Sequence, residues 1–574
     1  MLPKTKSRIL PTWKWRNVKT VETITNNEMS IGRTLLKPVA YSASLRVARQ
    51  VRAFMGAHRR TRRLQDKLLK ELVRRHASTA FGRDHGFGRI RCYEDFAAAV
   101  PVGSYETLRP YIRRVLAGEN TALLPAGEPV LMFSMTSGTT AAPKYIPVTA
   151  RFLADTRRGW NVFGLKALRD HPEAWLRNIL QISSPMRETV SPTGMPCGAI
   201  SGLLAATQKR IVKRMYVVPQ RAYEISDPDV KRYVILRYGV GRDVAFITTA
   251  NPSSTIRLIE TGQAHTERLV RDVADGTITP PGDAPPEITG SLQFRPNRRL
   301  ARQMEAGIRR DGRLMPKHFW NLAFLANWTG GTLKLYLPRL RELFGGVPVR
   351  DIGLLASEGR FSIPLTDGSP AGVAEITANF LEFIPADQAD SQKPDTLRAD
   401  ETEAGQEYML VTTNWAGLWR YNMDDRVRVV DKLGGSPVFE FLSRGRNTTN
   451  ITGEKITEYQ VVEAMRLACL RNGRPIDRFV LRGRFAQTPY YELCLEDQDA
   501  CEADSLAGFI DEALGELNME YRSKRSSGRL GPIRAAVLPA EALARTEAEL
   551  IRKCHGRSEQ YKHQYLATDV VVEE

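Results

Sequence analysis

The sequence predicts an α/β protein in two parts, a large N-terminal domain built on largely parallel βαβ sheets and a smaller α+β domain behind it. Three observations predict this. At 574 residues the chain is too long for one hydrophobic core. Between Val244 and Leu355, short β-branched and aromatic runs alternate with helical patterns, as βαβ units do. Near Phe439-Glu440-Phe441-Leu442 that rhythm gives way to a compact mixture of helices and strands. The expected division is a basic extension over 1–34, a large domain over 35–442 and a small mobile domain over 443–574.

In chain order, the extension carries Lys4, Lys6, Arg8, Lys14, Arg16 and Lys19 without the apolar run of a signal peptide. Helical periodicity prevails from Leu35 to Arg75. There Leu64, Leu68 and Leu72 form an apolar stripe, widened by Leu69 and Val73, beside a basic face that includes Arg59, Arg60, Arg62 and Arg63. Phe81 to Gly86 marks a loop, and Tyr93 to Ala99 a short helix. Leu131-Met132-Phe133 reads as a buried strand, with a helix from Phe152 to Leu168 beyond it. Ile179–Ile182, Val244–Thr248, Leu322–Ala326 and Val349–Leu355 read as strands. Thr255–Gly262, Thr266–Ala274, Arg299–Arg309 and Leu333–Phe344 read as helices. Pro280–Pro286 and the acidic stretch Asp387–Thr402 read as loops. In the small domain, helices Ile456–Leu470 and Ser505–Leu517 accompany strands Phe479–Gly483, Tyr490–Leu495 and Ala535–Leu538.

Composition narrows the function. A 42% hydrophobic and 26% charged content is ordinary for a soluble globular chain. No run of about 18 apolar residues predicts a membrane span. Six scattered cysteines form no C-x-x-C pair, and eight histidines no H-E-x-x-H, which argues against a zinc site or disulfide framework and fits a reducing cytoplasm. The formal charge of +19 raises nucleic-acid or anionic-membrane binding. No helix-turn-helix, RRM or zinc-finger pattern supports it, so the basic face reads as solvation, and neither nucleic acid nor membrane is an expected partner.

The most informative segment is F-S-M-T-S-G-T-T-A-A-P-K-Y-I-P-V-T, Phe133 to Thr149. Glycine allows a tight turn and close ligand approach, successive N–H groups make a concave phosphate site, and Lys144 adds a point charge. The spacing is not that of a P-loop. Asn327-Trp328-Thr329-Gly330-Gly331-Thr332 follows a strand, and its glycine pair lets a flat base lie against the backbone. Leu354-Leu355-Ala356-Ser357-Glu358-Gly359 places a hydroxyl and a carboxylate at a strand end, where open α/β sheets bind ligands and one carboxylate suffices for Mg²⁺. Trp415 to Asp425 ends in two aspartates, a residue type that accepts ribose hydroxyls. Gly556 to Lys562 contributes a C-terminal lysine. Taken alone, each of the last four has a plainer reading: a common turn, a strand end, a carboxylate balancing Arg420 or Arg426, a solvated lysine.

Together these segments resemble the GH3 family of acyl acid–amido synthetases, a branch of the adenylate-forming enzymes. The resemblance runs from about Leu64 to Tyr565 and extends to Tyr105–Arg114, Asn379–Pro385 and Leu517–Arg522. Tyr-Ile-Pro-Val-Thr after Lys144, Ser357-Glu358-Gly359 and A-G-L-W-R-Y distinguish it from ordinary acyl-CoA ligases. The resemblance implies that Thr136, Ser137, Gly138, Thr139, Thr140 and Lys144 hold the ATP phosphates, and that Thr329, Gly330 and Gly331 line the adenine site. Ser357 and Glu358 then face the phosphates and Mg²⁺, with Glu358 the metal ligand. Asp425 binds ribose, Arg444 lies at the interdomain hinge, and Lys562 enters from the small domain; Lys562, Lys144 and Glu358 form the catalytic set. Asn422 and Asp424 depart from the family's arginine and glycine, leaving Asp424 or Asp425 as the ribose ligand, and His563-Gln564 replaces Pro-Arg after Lys562.

The implied reaction adenylates a small carboxylic acid and passes the acyl group to an amine, in this family typically an amino acid, with ATP and Mg²⁺ as cofactors. Transfer to coenzyme A is the nearest alternative, and a non-catalytic polyanion-binding protein the alternative from another class. Trp160, Phe163, Phe246 and Phe324 are candidate acyl-pocket residues, each with a core role as its alternative.

Overall fold

The computed structural model describes residues 48–136, 143–208, 210–289, 294–445, 448–449, 451–452, 454, 456–486, 488–553, 563–567 and 571–572. The extension at 1–34 lies outside the described residues.

Four strands, Asn178–Gln181, Val244–Thr248, Phe324–Ala326 and Val349–Arg350, pair side by side in that order, all parallel. Parallel strands need both faces covered, which explains their unbroken apolar runs. Leu180, Ile247 and Leu325 share a core with helices Pro228–Gly239, Pro252–Ala264 and Leu337–Phe344. Ala245, Phe324 and Ala326 meet Val162, Phe163 and Ala167 of helix Ala150–Asp170. This is the parallel sheet the sequence predicts.

Beside it stands a seven-stranded sheet that the sequence reading did not resolve. Its order is Ser362–Pro364, Gly372–Ala374, Ser436–Arg444, Tyr421–Leu433, Glu407–Asn414, Asn379–Pro385 and Leu397–Arg398, with every pair antiparallel. A third sheet pairs Val130–Thr136 antiparallel with Lys144–Thr149 and parallel with Pro196–Gly198.

Two buried polar side chains lock the large sheet to the N-terminal helices. Arg420, 5% exposed and at φ +41°, donates to Glu382 Oε1 at 3.0 Å, to Ala97 O at 3.0 Å, to Val100 O at 2.9 Å and to Thr396 Oγ1 at 2.7 Å. Gln65, on helix Thr61–His76, donates to Ile376 O at 2.7 Å and Asn379 O at 2.8 Å while its Oε1 accepts from Leu381 N–H at 2.9 Å.

The C-terminal part has its own core. Strands Arg534–Leu538, Tyr490–Glu496, Val480–Phe485 and Val571–Val572 form one sheet, and Val461, Met465, Ile510 and Leu514 from helices Glu458–Asn472 and Ala503–Leu517 share a core with Leu481, Tyr491, Leu493 and Leu495 of that sheet. Leu335, from the short 3₁₀ turn Gly331–Tyr336 of the large domain, joins that core, and Arg257 pairs with Glu547 at 2.6 Å.

Three local differences from expectation have physical causes. Residues Ala80–Asp84 form a short helix where a loop was expected, because Thr79 caps it by accepting Gly82 N–H at 2.9 Å. The run Val349–Leu355 is split into two strands by Gly353 at φ +83°. Leu333–Phe344 begins as the 3₁₀ turn and becomes α-helical only at Leu337–Phe344. Among the described residues no helix is long and apolar enough to cross a membrane.

The Gln65 clasp generates a prediction. Gln65→Leu keeps the volume but leaves three buried backbone groups without partners, so it should destabilise the large domain by about 3 kcal/mol. Urea denaturation followed by tryptophan fluorescence would read the shift in midpoint.

Candidate functional site

Strands Val130–Thr136 and Lys144–Thr149 pair with Thr136 opposite Lys144, so the hydroxyl-rich segment is the connection of an antiparallel hairpin. Ser137, Gly138, Thr139 and Thr140 lie outside the described residues. The hairpin is braced by helix Tyr105–Leu116: Tyr145 N–H donates to Tyr105 Oη at 2.9 Å, and Lys144 Nζ stands 5.7 Å from the Tyr105 ring centroid.

A second hairpin, Leu355–Ala356 with Gly359–Arg360, carries Ser357 and Glu358 at its turn. Ser357 Oγ donates to Met135 O at 3.4 Å, which joins this turn to strand Val130–Thr136. Glu358 is fully buried. Its backbone carbonyl accepts from Asn414 Nδ2 at 2.8 Å, and its Oε1 lies 3.5 Å from Tyr421 Oη and 3.8 Å from Arg444 Nη2. Its Oε2 has no hydrogen-bond partner among the described residues. A buried carboxylate oxygen without a donor is costly, so the position suits a cation or a ligand donor.

Arg444 joins this carboxylate to a second one, its Nε standing 3.6 Å from Asp425 Oδ1. The charge of Asp425, then that of Glu358, pushes the Arg444 guanidinium up from its ordinary value. Burial, then the Glu358 charge, pushes the Tyr421 hydroxyl up. The alternation of strand Tyr421–Leu433 buries Asp425 (3% exposed) and turns Asp424, at φ +58°, outward. Arg420 pairs with Glu382 and Arg426 with Glu407, so neither takes Asp425 as its carboxylate.

On the other side, the Thr329–Gly331 turn is held by a residue that sequence reasoning missed. Asp351, buried one residue past strand Val349–Arg350, accepts from Thr329 N–H at 2.5 Å, Thr329 Oγ1 at 2.9 Å and Gly353 N–H at 2.6 Å. Burial lifts its carboxyl to about 6. The only sequence signal was an aspartate followed two residues later by glycine at a strand end. The glycine pair also has a steric cause. A Cβ at Gly331, φ +56°, would lie 2.7 Å from Leu442 O, and one at Gly330 would lie 3.2 Å from Phe441 O. Strand Ser436–Arg444, packed against the turn, leaves no room for a side chain at Gly331 and little at Gly330.

The four aromatic candidates for an acyl pocket sit together in one core cluster. Phe246 stacks on Phe324 at 4.5 Å between centroids, and Trp160 meets Phe163 edge-on at 5.6 Å. Arg360 covers Trp160 at 4.6 Å, and burial lowers its guanidinium to about 9. Lys562 lies outside the described residues. The structure thus brings Lys144, Ser357, Glu358, Asp425 and Arg444 into one connected region and ties the Thr329 turn to its edge through Asp351 and Gly353.

Comparison with known proteins agrees with this architecture. Models of the GH3 family N-terminal, central and C-terminal domains match residues 50–349, 373–444 and 459–570. Indole-3-acetic acid-amido synthetase GH3.3 of Arabidopsis thaliana is 24% identical over 89% of this chain and 90% of its own length. Jasmonoyl--L-amino acid synthetase JAR4 of Nicotiana attenuata is 24% identical over 71% of this chain and 73% of its own. The solved structure of the GH3.15 acyl acid amido synthetase superposes with a TM-score of 0.76 at 21% identity, covering 90% of this chain and 92% of that one. A 2-hydroxyisobutyryl-CoA ligase in its postadenylation state superposes at 0.50 and 13% identity, over 91% and 90% of the two chains.

Asp351 gives a substrate-free test of the geometry. Its folded pKa, about 6, exceeds the unfolded value of 3.8. Between those two values the folded chain holds a proton that the unfolded chain has released, so this group's contribution to stability rises as pH falls from 6 to 4. Asp351→Asn cannot titrate. The stability of wild type relative to Asp351→Asn, from urea unfolding at several pH values, should therefore climb across that window and level off below it.

Proposed function

The chain belongs to the GH3 family, and from that premise we propose that it is an ATP-dependent ligase joining a small carboxylic acid to an amine through an acyl adenylate. The observation that carries this reading is the buried Glu358 carboxylate with one unpartnered oxygen, seated beside the phosphate-loop strand and within reach of Arg444. An oxygen left in that state is matched to a charged ligand. Glu358 would hold Mg²⁺, whose charge offsets that of the phosphate oxygens.

In the first step an oxygen of the acid attacks the α-phosphorus of ATP, and pyrophosphate leaves with the electrons of the broken P–O bond. In the second the amine nitrogen attacks the acyl carbon, AMP departs, and the nitrogen loses a proton. Neither step needs an enzyme nucleophile; both need in-line placement and neutralisation of developing phosphate charge. Thr136 to Thr140 and Lys144 are assigned to the phosphates, Thr329 to Gly331 to the base, and Asp425 to the ribose hydroxyls. Arg444 stands between the two carboxylates, 3.8 Å from Glu358 and 3.6 Å from Asp425. The acceptor in this reading is an amino acid, and the setting cytoplasmic. Parallel assays with amino acids, hydroxylamine and coenzyme A would separate amide from thioester formation.

The ribose assignment can fail by one residue. Asp425→Ala should raise the KM for ATP with little change in kcat, because ribose contacts are made alike in ground and transition states. Asp424→Ala should leave ATP kinetics unchanged. The reverse pattern in ATP–pyrophosphate exchange would move the ribose ligand to Asp424.

Lys562 is assigned to the adenylating pose of the small domain. Lys562→Ala should slow adenylation on the order of 10²-fold, the scale of a lost transition-state donor. Aminolysis of acyl-AMP supplied ready-made should survive far better. Equal loss of both half-reactions would make the lysine structural, and full ATP–pyrophosphate exchange would remove it from the site.

A further inference from the structure

The carboxyl edge of the four-stranded parallel sheet ends in polar groups that find no partner among the described residues. Ser183 lies two residues past strand Asn178–Gln181, Thr249 one past Val244–Thr248, and Asn327 one past Phe324–Ala326. These strands are neighbours in the sheet, and the ladder carries on beyond them: Thr249 N–H donates to Ala326 O at 3.1 Å and Asn327 N–H to Arg350 O at 3.1 Å. Ser254 follows in the first turn of helix Pro252–Ala264. All four residues are at least 95% buried, and Ser183 Oγ, Thr249 Oγ1, Ser254 Oγ and Asn327 Oδ1 have no hydrogen-bond partner among the described residues. The Asn327 amide nitrogen is used, donating to Thr249 O and Thr255 Oγ1 at 3.2 Å each, which fixes its carbonyl oxygen as the free end.

Most buried polar atoms in proteins are paired, so three orphans at one edge of one sheet, with a fourth in the helix that follows its central strand Val244–Thr248, call for a cause. Open α/β sheets bind ligands at this carboxyl edge. Here the edge runs directly into the candidate site: Asn327 precedes the Thr329–Gly331 turn, whose anchor Asp351 is the next residue in the same row, and Trp328 Nε1 donates to Gly353 O at 2.8 Å, just before the Glu358 hairpin. The hydroxyls can donate or accept, and the amide oxygen only accepts. A ligand hydroxyl, which does both, complements this set.

Resting on the ligase reading above, we propose that Ser183, Thr249, Ser254 and Asn327 form the polar end of the acid-binding pocket. The acid this protein activates accordingly carries a hydrogen-bonding substituent, a hydroxyl foremost, besides its carboxylate. A site built to pair a hydroxyl discriminates strongly against the analogue that lacks it, because its own groups are then left unpaired.

The test uses the full-length enzyme and matched acids: para-hydroxybenzoate against para-methylbenzoate, para-hydroxyphenylacetate against para-methylphenylacetate, and an ω-hydroxy fatty acid against its ω-methyl isostere. In pyrophosphate release, at least one hydroxylated member should exceed its methyl partner in kcat/KM by roughly 10²-fold. Thr249→Val, which keeps the shape and deletes the hydroxyl, should shrink that ratio about tenfold or more. Because Thr249 Oγ1 has no hydrogen-bond partner among the described residues, the same variant should melt at or above the wild-type temperature. Methyl acids turned over as well as hydroxyl acids, a ratio unchanged in Thr249→Val, or a melting temperature several degrees lower would each overturn the inference while leaving the ligase reading intact. Absence of ATP–pyrophosphate exchange with every acid would instead defeat the ligase reading, and this inference with it.

Discussion

A buried guanidinium holds the large domain in register. Arg420 is the residue at which the seven-stranded sheet, the N-terminal helices and the Thr396 loop meet, and its donors are shared among Glu382, two helix-end carbonyls and a threonine hydroxyl. A buried cation is tolerated only when its charge and its donors are both met, and breaking such a set leaves an uncompensated charge in the interior. The backbone at Arg420 is left-handed as well, a conformation that a non-glycine residue keeps only where its surroundings enforce it. Immediately after it the chain enters strand Tyr421–Leu433, which sets Tyr421 and Asp425 facing inward toward Arg444 on the neighbouring strand. The site's electrostatics therefore depend on an ion pair that takes no part in them directly.

Around that anchor, the polar groups divide into two kinds. Gln65, Asp351 and Arg420 have their hydrogen-bonding atoms turned toward protein, and they hold turns, strand ends and sheet edges in place. Glu358 Oε2 and the polar edge at Thr249 and Asn327 are equally buried but have no hydrogen-bond partner among the described residues. Satisfied groups resist movement, and unsatisfied ones are the places where a ligand gains most by binding. Such fixed dipoles and charges need no reorganisation when charge develops on a substrate, the condition under which electrostatic stabilisation is strongest.

Much of this was visible in the residues alone, and the gaps have causes. Val244–Thr248 was bounded correctly because a short β-branched run between polar residues has few alternatives. The antiparallel sheet escaped notice because Asn379–Pro385 and Glu407–Asn414 are buried on both faces, which erases the period-two signal. Strand Tyr421–Leu433 does alternate, and that alternation, once seen, places Asp425 inside and Asp424 outside. Asp351 was missed because its partner Thr329 is 22 residues away and nothing local marks a carboxylate whose role is to hold a distant turn. The sequence speaks for what the glycine pair would admit; the structure adds what Gly331 must avoid, the Leu442 carbonyl.

That close approach has a mechanical meaning. With no side chain between Gly331 and Leu442, the turn and the strand that leads into the C-terminal part share a seam with no slack, and the same turn continues into Leu335, which is embedded in the C-terminal core. The turn is thus clasped from two sides by elements on either side of the domain junction. Whatever occupies it more tightly in one arrangement of the domains must favour that arrangement by the same free energy, since linkage between two equilibria is reciprocal. Two residues without side chains thus make the turn a place where a ligand's hold and the arrangement of the two parts are one equilibrium.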